Sequence, residues 1–350
     1  MAGVLYLHST FHLNTFDDLN FPYATLGLPA PNFVGFVDQF YRQNVDTASA
    51  FLQGTYSITD SFKITGGVRY SYEDKEATLQ RNAPMNVLAS IFPPFPETTL
   101  DVSKGFFDGS IGVEYAVGEG KLLYASFSRG TKPGGFGNAA PTDAASAEYL
   151  SEETLNTEVG AKLGFGGGNY LNLAFFNVQS NNFQFSEFNG VNFVFRNTDL
   201  ASRGVEVTGA VEPFEQLRFV SSVTYADVFD RQTKADQIQA PKWVGNIRSI
   251  FTQPIGDDFE LSAEVGARFR SEMLLKNEPS PVPLSDGYVM LDARIAIADI
   301  GDRWELSAFG RNLTDKRIGA FGFPTPFVSG SVTLAAEQTR TIGVQLSVTY

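Results

Sequence analysis

Hydrophobic and polar positions alternate with a period of two along most of the chain. Near the C-terminal end Ile342, Val344, Leu346, Val348 and Tyr350 are apolar, and Thr341, Gly343, Gln345, Ser347 and Thr349 lie between them. Phe62, Ile64, Val68, Tyr70 and Tyr72 oppose Lys63, Thr65 and Arg69, and Phe107, Ile111, Val113 and Tyr115 oppose Asp108, Ser110 and Glu114. Phe259, Leu261, Val265 and Phe269 oppose Glu260, Glu264, Arg268 and Arg270. A strand sends successive side chains to opposite faces, so each segment has one apolar and one polar face. Fourteen strands are predicted, at 3–14, 48–58, 61–73, 103–117, 121–130, 152–165, 169–187, 191–211, 216–228, 242–253, 258–271, 287–298, 302–311 and 338–350. Most exceed the five or six residues usual in soluble sheets and suit a tilted membrane strand of about 9–11 residues.

The connections alternate in length. Tight turns at Thr59-Asp60, Gly118–Gly120, Gly166–Gly168, Pro213–Glu215, Pro254–Asp257 and Asp299–Gly301 are interleaved with long segments at 15–47, 74–102, 131–151, 229–241, 272–286 and 312–337. In an antiparallel meander this places every tight turn at one end and every long loop at the other, as in outer-membrane barrels with short periplasmic turns and long extracellular loops. Rings gather at both ends of the apolar face: Tyr56, Tyr115, Phe165, Phe259 and Trp304 near the turns, and Tyr70, Tyr72, Phe127, Tyr225 and Trp243 near the loops. Two such belts mark membrane–water interfaces. The fold class expected is therefore all-β, an antiparallel transmembrane β-barrel meander forming one continuous unit over residues 1–350.

Composition narrows the chemistry. Among 350 residues, 26 Lys and Arg face 39 Asp and Glu, a net charge of −13, which argues against a nucleic-acid partner. Cysteine is absent and histidine occurs only at His8 and His12, which removes thiol chemistry and most histidine catalysis. On a strand His8 and His12 share a face but stand about 13 Å apart, too far to share a metal. No nucleophile-and-base pair emerges, so neither an enzyme nor a cofactor is expected. No apolar run exceeds four residues, so no helix of the ~20 apolar residues needed for a span is predicted.

Several segments resemble a known family. Tyr124-Ala-Ser-Phe-Ser-Arg-Gly-Thr-Lys-Pro-Gly-Gly-Phe136 is similar to a strand-into-loop segment of TonB-dependent outer-membrane receptors. So is Asn197 followed by Ser202-Arg-Gly-Val-Glu206, and Gly310-Arg-Asn-Leu-Thr-Asp-Lys316 resembles an Asn-Leu-x-Asp-Lys motif near the end of their barrel. The resemblance spans about residues 45–350 and implies an integral protein of a Gram-negative type outer membrane. It further implies energised uptake of a ferric siderophore or similar nutrient, with the TonB energy-transducing complex engaged through a plug domain. The family's barrel has about twenty-two strands. Met1 leads directly into Ala-Gly-Val-Leu-Tyr, so the expectation is the C-terminal part of such a barrel, without plug and early strands. The alternatives are a complete fourteen-strand passive pore, in which strand 3–14 zips onto 338–350, and a soluble β-rich binding module.

In this family substrate is captured by extracellular loops and upper lumen side chains. The corresponding candidates here are Phe92, Phe95, Arg129, Lys132, Phe136, Asn138, Phe323 and Phe327, whose rings could stack on a flat ligand and whose cations could draw an anionic one. Such rings also serve loop packing or contact with lipopolysaccharide. The loop asymmetry makes a direct prediction. An epitope inserted near Asn86 in the full-length parent is expected to bind antibody on intact cells, and one at Gly167 or Gly256 is not. Surface labelling at Gly167 would reverse the orientation.

Overall fold

The computed structural model describes residues 1–21, 33–83, 92–139, 142–188, 193–275, 284–325 and 331–349. Among the described residues fourteen long strands form one antiparallel sheet in chain order. They are β1 (Ala2–Phe21), β2 (Phe33–Ser57), β3 (Phe62–Asn82), β4 (Phe95–Gly118), β5 (Lys121–Lys132), β6 (Glu152–Gly166), β7 (Asn169–Phe188), β8 (Phe193–Phe214), β9 (Leu217–Asp230), β10 (Trp243–Ile255), β11 (Phe259–Arg270), β12 (Tyr288–Asp299), β13 (Trp304–Arg311) and β14 (Thr341–Val348). Among the described residues β1 and β14 are the two edges of this sheet and do not pair with each other, so the closure expected of a complete fourteen-strand pore is not seen there. Three short ribbons lie within the long connections among the described residues, pairing 135–136 with 148–149, 273–274 with 284–285, and 319–324 with 332–336.

The face carrying Val68, Ile111 and Val265 is here called outer, and that carrying Arg69, Asp108 and Glu264 inner. Register aligns the outer residues strand after strand: Val68 with Gly109, Ile111 with Phe127, Val159 with Phe175, Val205 with Tyr225, Ala263 with Ile295, and Leu306 with Leu346. Large apolar side chains along this face are exposed, Ile111, Val265, Ile295 and Val344 among them. A contiguous apolar surface of this extent belongs in hydrocarbon. Ring pairs bound it: Phe259 and Trp304 lie 5.9 Å apart at the turn end, and Tyr225 and Trp243 lie 4.9 Å apart at the loop end. The inner face pairs charges across strands, as in Arg268–Asp292 (3.1 Å), whose side chains stay partly exposed.

The tight turns occur where the alternation placed them. At 166–168 three consecutive glycines take φ of +80°, +58° and +79°, a run that side-chain-bearing residues would adopt only under strain.

Strand length departs from expectation at the loop end. Segments 15–47 and 74–102, read as loops, are largely strand: β1 runs to Phe21, β2 starts at Phe33, β3 runs to Asn82 and β4 starts at Phe95. The reason is an inversion of polarity. On β3 the outer positions are apolar through Tyr72 and then become Asp74, Glu76 and Thr78, whereas the inner positions are polar through Lys75 and then become Ala77 and Leu79. The same exchange occurs at the same height on β2, where Val45 pairs with Lys75, and on β4, where Val102 pairs with Lys75. Above this level the outer surface meets water, and apolar side chains retreat to the inner face. From Phe62 to Tyr72 the outer apolar stretch on β3 spans about 33 Å along the strand, or about 25 Å along the normal at a 40° tilt. That matches the apolar band of a transmembrane barrel.

His8 sits at this boundary, on the outer face. Its Nδ1 lies 2.9 Å from Asp46 Oδ1, to which Tyr6 also donates at 2.6 Å.

Replacing Val265 with Arg is expected to cost about 2–4 kcal/mol of folding into lipid, as for a cation at a barrel's mid-bilayer outer face. Glu264→Gln, one residue away on the inner face, gives up only an exposed ion pair with Arg248 (3.4 Å) and should cost under about 1 kcal/mol. Folding yields into vesicles compare the two, and equal losses would reject the assigned faces.

Candidate ligand-binding site at the upper inner face

Above the polarity inversion the inner face of β2–β4 carries Tyr41, Ala77, Leu79 and Phe95. The connection between β5 and β6 folds over them. Its Phe136, Ala144 and Ala147 complete a buried cluster, with Leu13, Leu100 and Val102 packed against it. The described residues of this connection, 133–139 and 142–151, form a strap fixed on both sides. On the β2–β3 side the Tyr41 hydroxyl donates to the Phe136 carbonyl (2.8 Å), Lys75 Nζ to the Gly134 carbonyl (2.8 Å) and Gln39 Nε2 to the Asn138 carbonyl (2.6 Å). On the β7–β8 side Gln184 Nε2 lies within 3.2 Å of the carbonyls of Lys132, Pro133 and Leu150. Asn197 Oδ1 accepts from the Leu150 amide (2.8 Å), and its Nδ2 donates to the Asn182 carbonyl (2.7 Å). Within the strap Asp143 and Ser146 form a capping box for the 3-10 turn Ala144–Ala147, which holds Ala144 and Ala147 against the sheet.

The glycines of the Pro133-Gly-Gly-Phe-Gly137 run are matters of space. Gly134, Gly135 and Gly137 are buried, and a Cβ on Gly137 would run into the Phe195 ring.

The electrostatics agree with a packed site. Arg81, 2% exposed, donates to Gln39 Oε1 at 3.1 and 3.2 Å and lies 5.2 Å from the Phe95 ring centroid. Burial draws its pKa down to about 10, which leaves it charged at neutral pH. Burial raises the phenol of Tyr41. Burial first, and the charge of Glu73 second, raise that of Tyr149. Both phenols are therefore neutral donors. Among the described residues no group of three or more acidic or histidine side chains could hold a metal ion.

The other two motifs also resolve into geometry. Asn312, 2% exposed, donates through Nδ2 to the Lys316 and Gln338 carbonyls (2.9 and 3.2 Å) and accepts from the Lys316 amide (2.9 Å), while its own amide binds Asp292 (2.8 Å). It ties the end of β13 to β12 and to the start of β14. In Ser202–Glu206, Gly204 lies beneath the Phe176 ring and against the Tyr225 carbonyl, where no side chain fits.

The family model for the TonB dependent receptor-like β-barrel matches residues 3–313. The chain belongs to the TonB-dependent receptor family. Over 156 residues it is 27% identical to the pesticin receptors of Yersinia enterocolitica and Yersinia pestis, an alignment covering 43% of this chain and 20% of those proteins. In fold it is similar to the ferric yersiniabactin uptake receptor FyuA of Yersinia pestis, with TM-score 0.77, 16% identity, and coverage of 99% of this chain and 51% of that one. The siderophore receptor PiuA of Acinetobacter baumannii gives TM-score 0.66 and 15% identity, covering 91% and 45%. The chain thus spans about half the length of these solved receptors. The relatives are receptors and transporters, not enzymes.

Within this TonB-dependent receptor barrel the eight candidate residues separate. Phe95 and Phe136 meet in the buried cluster, and the Asn138 carbonyl is held by Gln39. Phe92 is half-buried beside Pro93, whose carbonyl faces Arg81 at 3.5 Å. Lys132 ends β5 beside the strap. Arg129 points the other way: it shares the outer face with Phe127 and Leu123, donates to the Phe107 carbonyl (2.6 Å) and pairs with Glu153 (3.1 Å). Phe323 belongs to a different loop group, 6.4 Å from Phe188, which in turn lies 5.2 Å from Phe193. Phe327 falls outside the described residues. The alternation did not single out Tyr41, Gln39 and Lys75, because the inversion hides the strand they stand on, nor Tyr149 and Gln184, which lack a motif. Asn197 was marked by its motif without a role.

Asn197→Ala removes side-chain bonds to Leu150 and Asn182 and should loosen the strap by about 1–3 kcal/mol. Amide hydrogen exchange across residues 133–151 is expected to rise while β11–β12 is unchanged, and unchanged exchange in the strap would reject the clamp.

Proposed function

We propose that this barrel works in the outer membrane as part of a receptor for energised uptake of a ferric siderophore or similar nutrient, driven by the TonB complex through a plug domain. The observation that carries this reading is the strap. The polar inner wall leads upward to a glycine-rich loop anchored over the inner face of β2–β4, with Phe136 and Asn138 on it, Lys132 at its start and Phe92 and Phe95 beside the same strands. A receptor needs a preorganised rim to hold a large ligand before transport, and an anchored loop supplies one. The structurally similar proteins include a ferric yersiniabactin uptake receptor and a siderophore receptor, which favours an iron chelate as cargo. We assign substrate contact to Phe92, Lys132, Asn138 and the Phe323 loop. Phe95 and Phe136 act from beneath as packing that holds the rim in place, and Arg129 is left out of the site.

The test is radioactive iron uptake from a panel of ferric chelates. Iron-starved cells lacking their own siderophore receptors would express the receptor from its complete gene, with and without TonB. At least one chelate is expected to enter only when TonB is present. Uptake of the whole panel at equal rates without TonB would replace the receptor by a passive pore.

A further inference from the structure

Near the turn end of β6–β9 the apolar outer wall is hollowed. Gly209 on β8 faces Ser221 on β9 across the ladder. These two small residues floor a cavity of about 460 Å³, walled by Phe165, Leu171, Val211 and Phe219. Its size lies within the range of about 300–1,000 Å³ found for ligand sites. A Cβ on Gly209 would stand 3.1 Å from the Tyr170 carbonyl, closer than ordinary contact, so the floor takes no larger residue there without adjustment. Val211 lies close to the end of β8 at Phe214, and Phe219 close to the start of β9 at Leu217. The hollow therefore opens into the membrane leaflet on the turn side, which the loop asymmetry makes periplasmic. Its rim carries both signs of charge. The exposed Lys121 ammonium lies 6.0 Å from the ring centroid of Phe165, the wall on the β5 side. Glu212 lines the hollow, is bonded to Arg218 from the inner face, and keeps 30% of its side chain exposed. With Glu119 and Glu215 in the adjoining turns, carboxylates outnumber Lys121 and Arg218 around the rim.

We propose that this hollow is a site for one phospholipid of the periplasmic leaflet, with a zwitterionic, amine-bearing headgroup. An acyl chain lies over Gly209 and Ser221 and gains close contact with the surrounding apolar walls. The phosphate takes a charge-assisted contact from Lys121, and the amine sits among the carboxylates of Glu212 and Glu215. A purely anionic headgroup would meet those carboxylates with nothing to offer them. A second hollow on the same face, about 580 Å³ between Leu52, Tyr56, Ile64 and Val68, is floored by Gly54 and Gly66 and has no charged residue in its lining. It offers a chain room but a headgroup no hold. The inference rests on the assigned faces and orientation and is independent of the cargo.

Native mass spectrometry of the full-length receptor in detergent tests the assignment, with phosphatidylethanolamine and phosphatidylglycerol added in equal amounts. One phosphatidylethanolamine per barrel is expected to survive collisional activation that strips phosphatidylglycerol. Ser221→Leu fills the hollow and should weaken retention about tenfold, and Lys121→Gln should weaken it in the same direction. Gly54→Leu fills the uncharged hollow and should leave retention unchanged; a Cβ at Gly54 meets nothing within 4 Å. The heat-modifiable gel shift of a folded barrel verifies each variant. Retention indifferent to Ser221→Leu or to Lys121→Gln would overturn the site, as would an equal loss with Gly54→Leu. Preference for phosphatidylglycerol, or no retained lipid, would overturn it too. Each of these outcomes leaves TonB-dependent uptake to be judged by the transport assay.

Discussion

The passage from hydrocarbon to water at the level of Asp46 and Asp74 organises everything above and below it. Below that level burial energy lies on the outer face, where Val68, Ile111 and Ile295 meet lipid, and the inner face is free to carry charge. Above it an apolar outer face would be exposed to water at about 25 cal/mol per Å², so the apolar positions move inward as Ala77, Leu79, Tyr41 and Leu100. An inward apolar patch at the mouth of a wet wall needs a cover, and the strap supplies it. The site therefore follows from the membrane boundary: the same two-residue period, shifted by one position at a fixed height, produces a lipid-facing wall in one half and a loop-binding surface in the other.

The hold on the strap has a division of labour. Apolar burial of Phe136, Ala144 and Ala147 gives it adhesion without direction. Direction comes from hydrogen bonds: Tyr41, Lys75 and Gln39 from one side, Gln184 and Asn197 from the other. If the strap lifted, each of these groups would exchange its bond for one to water, so each contributes about 0.5–1.5 kcal/mol net.

How much was legible depended on whether one face of a segment met a single solvent. The strands read at 258–271 and 287–298 correspond to Phe259–Arg270 and Tyr288–Asp299, because their outer positions stay apolar from end to end. The strands read at 61–73 and 103–117 were cut short at the loop end, since β3 and β4 cross the boundary and their alternation changes phase there. Lost with those ends were Leu79, Arg81 and Phe95 as strand residues, together with Tyr41 and Gln39 on β2. In the site, Lys132 and Phe136 were visible through a motif, but their partners lie tens of residues away on strands whose register only the folded sheet fixes. Arg129 was misplaced for a related reason. Leu122 and Leu123 are both apolar, so β5 gives a weak parity, and pairing of Arg129 with Gly109 was needed to put it on the outer face.

Every clamp on the strap grips a main-chain atom. The carbonyls of Gly134, Phe136, Asn138, Lys132, Pro133 and Leu150 and the amide of Leu150 are what Tyr41, Gln39, Lys75, Gln184 and Asn197 recognise. The hold is consequently blind to most of the side chains the strap displays. A lineage could exchange residues such as Asn138, Thr142 or Glu148 and alter what the mouth of the barrel recognises while the same latch keeps the loop seated. Diversification of cargo would then proceed by substitution in the loop alone, with the supporting strands left as a common chassis.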